Sequence, residues 1–147
     1  MKKEDRRIRK TKAAISSALL DLLEEKDFAQ ISINDIAEKA NVNRGTIYFH
    51  YEDKFDLLDK IIEERLEDLR NVCAPIHGDS TAEELKQYFT AVYQFFEDNY
   101  KFFFLMIKRS STNHFQERFK QLILQEMTRI PLASHKDRSE AFFFSSG

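Results

Sequence analysis

Arg44, Thr46, Tyr48 and His50, with Asn43 just ahead of them, place hydrogen-bonding side chains at one- and two-residue intervals around an apolar position, Ile47. Such groups can hydrogen-bond to a partner. No Gly-rich phosphate loop accompanies them, Cys73 has no evident partner, and His50, His77, His114 and His135 are scattered. His50 has no second ligand three or four residues away, so a metal site is a poor reading of it. An enzyme therefore has almost no support, and no metal or cofactor is implied. Upstream, Asn34 is a further outward polar side chain. Ser32 stands three residues before Asp35, the spacing of a helix-capping signature.

Two short helices must position this set. Ile33, Ile36, Ala37 and Ala40 fall at helical spacing. Asn41 ends that helix, because Asn tolerates the left-handed conformation that stops one. The turn that follows is too short to do anything but fold the next helix against the first, with Val42 and Ile47 reaching back to fix the crossing angle. The result is a helix-turn-helix. A short helix buried on one side and lined with polar side chains on the other suits the major groove of duplex DNA. Arg44, at its start, has the geometry to bond guanine O6 and N7 together; the alternatives are a phosphate contact or a surface ion pair. Gly45 costs about 1 kcal/mol in helix propensity, which asks for a reason such as close backbone approach to the bases. Phe49 either touches a thymine methyl or seals the domain.

The stretch resembles the DNA-binding segment of TetR-type (tetracycline-repressor family) regulators. The residues that carry the resemblance are Ile36-Ala37, Ala40, Val42, Gly45-Thr46-Ile47-Tyr48, His50-Tyr51, Lys54 and Leu57-Leu58. It covers about residues 8 to 66 and is thin beyond. The resemblance implies that the helix N-terminus at Ser32 sits on a DNA phosphate. It also implies that Asn34 reaches a base edge and that Thr46, Tyr48 and His50 contact phosphate and sugar, which fixes register more than sequence. Lys54 matches the family's phosphate-binding lysine. Further implications are a connecting helix that acts as a lever, a second helical unit that encloses an inducer, and a homodimer on an inverted-repeat operator. Repression is the expected mode.

Composition sets the frame. The chain has 147 residues, 42% hydrophobic and 33% charged, with 3 Gly and 2 Pro. No β-type alternation is visible, so an all-α fold is expected. The net charge of −2 does not announce a nucleic-acid binder, but residues 1–12 hold seven Lys and Arg against Glu4 and Asp5. A basic segment beside a groove-reading helix can supply phosphate contacts; alone it reads as a solvated terminus. One cysteine, Cys73, excludes an internal disulfide. It reads as a small core residue, with redox sensing the less favoured alternative. The charged N-terminus lacks the apolar segment of a signal peptide and no membrane span is visible, so a cytoplasmic location is expected.

The expected organisation is a three-helix DNA-binding head over residues 1–53, with its reading motif at 32–51. Residues 54–147 supply a connecting helix and a helical ligand-binding and dimerisation bundle. The first helix runs over residues 6–26 with Ile15, Ala18, Leu19, Leu22 and Leu23 on one stripe. The connecting helix, 54–73, carries Phe55, Leu58, Ile62, Leu66, Leu69 and Cys73 at three-and-four spacing. Pro75 and Gly78 mark the break. Helices then follow from Ser80 or Thr81 to about Asn99, Phe102 to Lys108 and His114 to Arg129. Aromatic density from Tyr88 to Phe104 admits two readings: an aromatic core, or a pocket for a small hydrophobic or aromatic inducer lined by Tyr88, Phe89, Val92, Tyr93, Phe96, Phe103 and Met106. Residues 141–147, Ala-Phe-Phe-Phe-Ser-Ser-Gly, read as a helix cut short, as if the two dimerising helices of the family were missing. A second reading keeps DNA binding without an inducer, the bundle being a protein-interaction or architectural module.

Overall fold

The computed structural model describes residues 2–109 and 113–129. Among these, every regular element is helical: α1 Lys2–Glu25, a 3-10 turn Phe28–Gln30, α2 Ile33–Ala40, α3 Arg44–His50, α4 Lys54–Cys73, α5 Ala82–Asp98, α6 Tyr100–Lys108 and α7 Asn113–Arg129. The expected reading of residues 141–147 lies outside the described residues.

Local chemistry sets most boundaries. At the start of α2, Asp35 N–H donates to Ser32 Oγ at 3.1 Å and Ser32 N–H to Asp35 Oδ2 at 2.9 Å, a complete capping box. Asn41 ends the helix at φ 56°, ψ 46°, the left-handed conformation expected of it. α4 opens on Asp53, whose Oδ1 accepts from Asp56 N–H at 2.8 Å. The Asp56 carboxylate does not return the bond to Asp53; it accepts from Glu52 N–H at 2.9 Å, one residue earlier. Thr81 and Glu84 form a second capping box at the start of α5. α5 and α6 are nearly continuous, broken at Asn99, so α6 starts at Tyr100 rather than at the expected Phe102.

α1 packs on α2 and α6, α2 on α3, and α4 on both α5 and α7. A single apolar core runs through these contacts from Ile15 and Leu19 in α1, through Ile36, Ile47, Leu57 and Leu69, to Phe102, Met106 and Phe115. The core continues across residue 53. One member of the α4 stripe is misplaced by the spacing argument. Phe55 is 65% exposed, while Leu57 and Ile61 are buried. At the first turn of α4 the 3-10 turn meets the Phe55 ring edge-on through Phe28 (5.4 Å, 83°) rather than covering it.

The second unit is centred on phenylalanines. Phe103 lies 4.8 Å from Phe96, 5.1 Å from Phe102 and 5.5 Å from Phe119, and Phe115 stacks on Phe119 at 5.3 Å. Aromatic pairs at these separations contribute beyond their buried area.

Candidate nucleic-acid interface

α3 is too short to be stable alone; it is held by what it buries. Ile47 is 0% exposed, and Val42, in the turn before it, packs against the core. The remaining side chains are thereby directed away from α2. Tyr48 is 46% and Phe49 81% exposed, so Phe49 does not seal the domain. Arg44 is exposed, and its guanidinium carbon lies 5.6 Å from the centre of the Tyr48 ring. That contact pre-organises the arginine along the outer face of α3. His50 is half-buried, with its ring edge-on to Phe49 at 5.0 Å and its carbonyl 3.4 Å from the Lys60 ammonium. Thr46 is half-buried. Asn43 occupies the N-cap position and makes no side-chain capping bond. A Cβ built on Gly45 meets nothing within 4 Å. Among the described residues no packing requires the missing side chain.

α2 presents Asn34 to solvent, beside Ser32 at its N-terminus. Arg6, Arg7, Arg9 and Lys10 are exposed on the opening turns of α1. They stand on a helix, not on an extended tail, which holds their charges in a row.

Lys54 departs from its expected task. Its ammonium donates to the carbonyls of Phe28 (2.9 Å), Ala29 (3.3 Å) and Ile31 (2.9 Å) and lies over the Phe28 ring at 4.8 Å. An ammonium has three N–H donors, and all three are engaged inside the protein. The lysine fastens the start of α4 to the connection between α1 and α2, a set of partners other than the phosphate that the resemblance implies. Sequence reasoning missed this because the partners are backbone carbonyls more than twenty residues away.

The head is also fixed electrostatically. The Ser32 backbone N–H, then the Ser32 hydroxyl and the Lys26 ammonium, hold the Asp35 carboxyl below its usual range. The Glu52 backbone N–H, then Lys60, does the same for Asp56. Tyr51, buried behind α3, has its phenol pushed up to about 12, first by burial and then by the charges of Glu64 and Asp56.

The seven residues read as a pocket do not converge. Tyr88, Phe103 and Met106 are buried, Val92 and Phe96 are half-buried, and Phe89 and Tyr93 point outward, Tyr93 at 67% exposure. Tyr93 and Phe96 do border an open groove of about 500 Å³ with Glu97 and Tyr100. A second groove, of about 610 Å³, lies elsewhere, between the 3-10 turn, α4 and the start of α7. Phe28, Phe55, Leu58 and Ile62 form its apolar walls and Asp56, Asp59 and His114 its rim. Cys73 is buried against Tyr88, and burial pushes its thiol up, as expected of a core cysteine. Among the described residues no three His, Cys, Asp or Glu side chains are grouped to hold a metal ion, and no helix is long and apolar enough to cross a membrane.

A three-helix head whose last short helix is anchored by one face and polar on the other is a helix-turn-helix module. Residues 15–61 match the family model "Bacterial regulatory proteins, tetR family". Residues 15–61 thus form a head of the tetR family of bacterial regulatory proteins. The uncharacterized HTH-type transcriptional regulator YxbF of Bacillus subtilis (strain 168) is 33% identical over 123 residues, which cover 82% of this chain and 32% of YxbF. The HTH-type transcriptional repressor BepR of Brucella suis biovar 1 (strain 1330) is 42% identical over 52 residues, 35% of this chain and 25% of BepR. A solved TetR transcriptional regulator from Streptococcus agalactiae 2603V shares the fold with a TM-score of 0.54 at 30% identity, over 82% of this chain and 64% of its own. The chain thus spans about a third of YxbF and a quarter of BepR.

Proposed function

We propose that this chain is a sequence-specific DNA-binding transcriptional regulator, acting as a repressor that occupies an inverted-repeat site as a homodimer. The observation that carries the reading is α3: Ile47 is its buried anchor, while Arg44, Tyr48 and Phe49 stand outward on a face no other part of the described chain covers. Arg44 reads a guanine, Phe49 meets a thymine methyl, and Asn43, Thr46, Tyr48 and His50 set the register on sugar and phosphate. Gly45 lets the backbone come close. The N-terminus of α2 at Ser32 and Asn34 takes the flanking phosphate and base edge, and the cations of α1 add attraction that any sequence would feel. Two heads linked by a dimer would gain affinity through effective concentration, and half-site spacing would mirror the two-fold axis.

Selection of duplexes from a random library tests this directly. An inverted repeat should emerge, and affinity for it should exceed that for scrambled duplex by about 10³-fold or more. Enrichment of no sequence, with a stable fold, would refute the reading.

A second reading drops the inducer and makes the helical bundle an interaction module. The packing of Phe102, Phe103, Phe115 and Met106 into a solid centre favours it. The open grooves favour the ligand-responsive form typical of the family. Titrating small hydrophobic and aromatic compounds into the protein–DNA complex separates the two, since only a compound with differential affinity for free and bound states releases DNA.

A further inference from the structure

α1 ends without the usual means of closing a helix C-terminus. Its last turn has no basic side chain, and Glu24 and Glu25 stand there instead, negative charges at the negative end of the helix dipole. No glycine follows. The open carbonyls are met from α6. Arg109, the residue that terminates α6, donates from Nε and Nη2 to the Leu23 carbonyl at 3.1 and 2.7 Å, and from Nη2 to the Glu24 carbonyl at 3.3 Å. Its Nη1 donates to Asp27 at 2.7 Å. At the opposite end of α6, Lys101 pairs with Asp21 and Glu24 of α1. The Arg109 side chain is 24% exposed, so this is more than a rim contact.

We propose that Arg109 is a positioning residue for DNA binding: it caps α1 from α6 and so makes the placement of the first helix of the reading motif depend on where α6 sits. Beyond the capped carbonyls, the connection of residues 26–31, which Arg109 touches at the Asp27 carboxylate, leads straight into the Ser32 cap of α2. The same connection is gripped from the other side by Lys54 of α4. Lys54 of α4 therefore fixes the connection at its own carbonyls, while Arg109 of α6 fixes the helix end that feeds it, at Leu23 and Glu24; without Arg109 the α1 end loses its cap while the Lys54 end stays fastened. The effect on DNA rests on the reading of α3 given above; the cap itself does not.

Hydrogen exchange on the full chain tests the cap. The amides of Lys26, Gln30 and Ile31 are bonded to the carbonyls of Leu22, Asp27 and Phe28 and report on the segment. Arg109→Met should lower protection at these three amides about tenfold or more while interior amides of α5 and α7 keep theirs. Arg109→Lys, which retains a donor, should fall between wild type and Arg109→Met, and it decides the matter if Arg109→Met does not fold. Asp27→Asn leaves the carbonyl contacts in place and should change little. On the tightest duplex that the wild type selects from a random library, Arg109→Met should raise Kd by about three- to tenfold with an unchanged salt slope. Unchanged protection at the three amides, or an equal loss in every helix, overturns the proposal. A salt slope reduced by about one overturns it as well, since Arg109 would then be a phosphate contact. If the wild type selects no duplex, the DNA reading fails while the exchange result still judges the cap.

Discussion

Replacing Lys54 with methionine sets two accounts of that residue against each other. Methionine keeps the length and apolar character of the side chain and removes its donors. The ammonium bonds the carbonyls of Phe28 and Ile31, both partly buried and both at 2.9 Å, and the exposed Ala29 carbonyl at 3.3 Å. Hydrogen bonds to a charged group contribute about 1.5–3 kcal/mol each where they are shielded. Ala29 turns to water at little cost, and partial exposure of the other two places them at or below the low end. A net loss of roughly 2–3 kcal/mol follows, including a small contribution from the Phe28 ring beneath the ammonium. For a chain of this size that lowers Tm by roughly 4–12 °C, measured by calorimetry or circular dichroism at fixed protein concentration. The salt dependence of DNA affinity should meanwhile keep its slope, because no phosphate contact is lost. A phosphate-binding lysine predicts the reverse: Tm within about a degree of wild type and a slope shallower by about 0.9 in log–log terms. That second pattern would refute the structural role given to Lys54.

Other perturbations follow from the same geometry. Arg44→Ala should cost about 1–3 kcal/mol of DNA affinity and relax preference at one base position, read by repeating the duplex selection with the variant. Ser32→Ala removes the acceptor of the α2 capping box and should cost about 1 kcal/mol of stability in denaturant unfolding. Phe115→Ala empties a 0% exposed site ringed by Phe102, Phe103 and Phe119 and should cost about 3–5 kcal/mol, visible as a lower midpoint at constant m-value. The Tyr51 phenol binds its proton more tightly folded, at about 12, than at the ordinary 10.0, so its contribution is intact below pH 10 and is lost as pH rises toward 12. Tyr51→Phe should flatten the alkaline limb of the unfolding profile over that range.

The head was legible in the sequence because its signals are local. Ser32 with Asp35, Asn41 and the spacing of Ile36, Ala37 and Ile47 each act within four or five residues, and each appears in the structure as the spacing implies. Periodicity alone gave α4 its length but put Phe55 on the wrong side. A stripe shows which residues share a face, not whether anything lies over that face at its end. The roles of Lys54 and Arg109 were invisible for a different reason. Both act on backbone carbonyls, which every residue carries, at separations of 23 and 86 positions in the chain. The pocket reading met the same limit: aromatic density says that rings will cluster, not whether their centre is filled.

The double duty of α6 follows from where its residues point. Phe102, Phe103, Leu105 and Met106 are buried, with Phe103 among the rings of Phe95, Phe96, Phe115 and Phe119. Lys101 and Arg109, at either end of the same helix, hold α1. A helix of nine residues is too short to bend between its two sets of contacts. Any event that repacks the phenylalanines must then carry Arg109 with it, and a closely packed interior transmits such a shift rather than absorbing it. The phenylalanine centre and the α1 cap are thus two faces of one rigid piece, and the reading motif begins at Ser32, six residues after Lys26. A bound compound, a protein partner or a core substitution would reach α2 by the same short route.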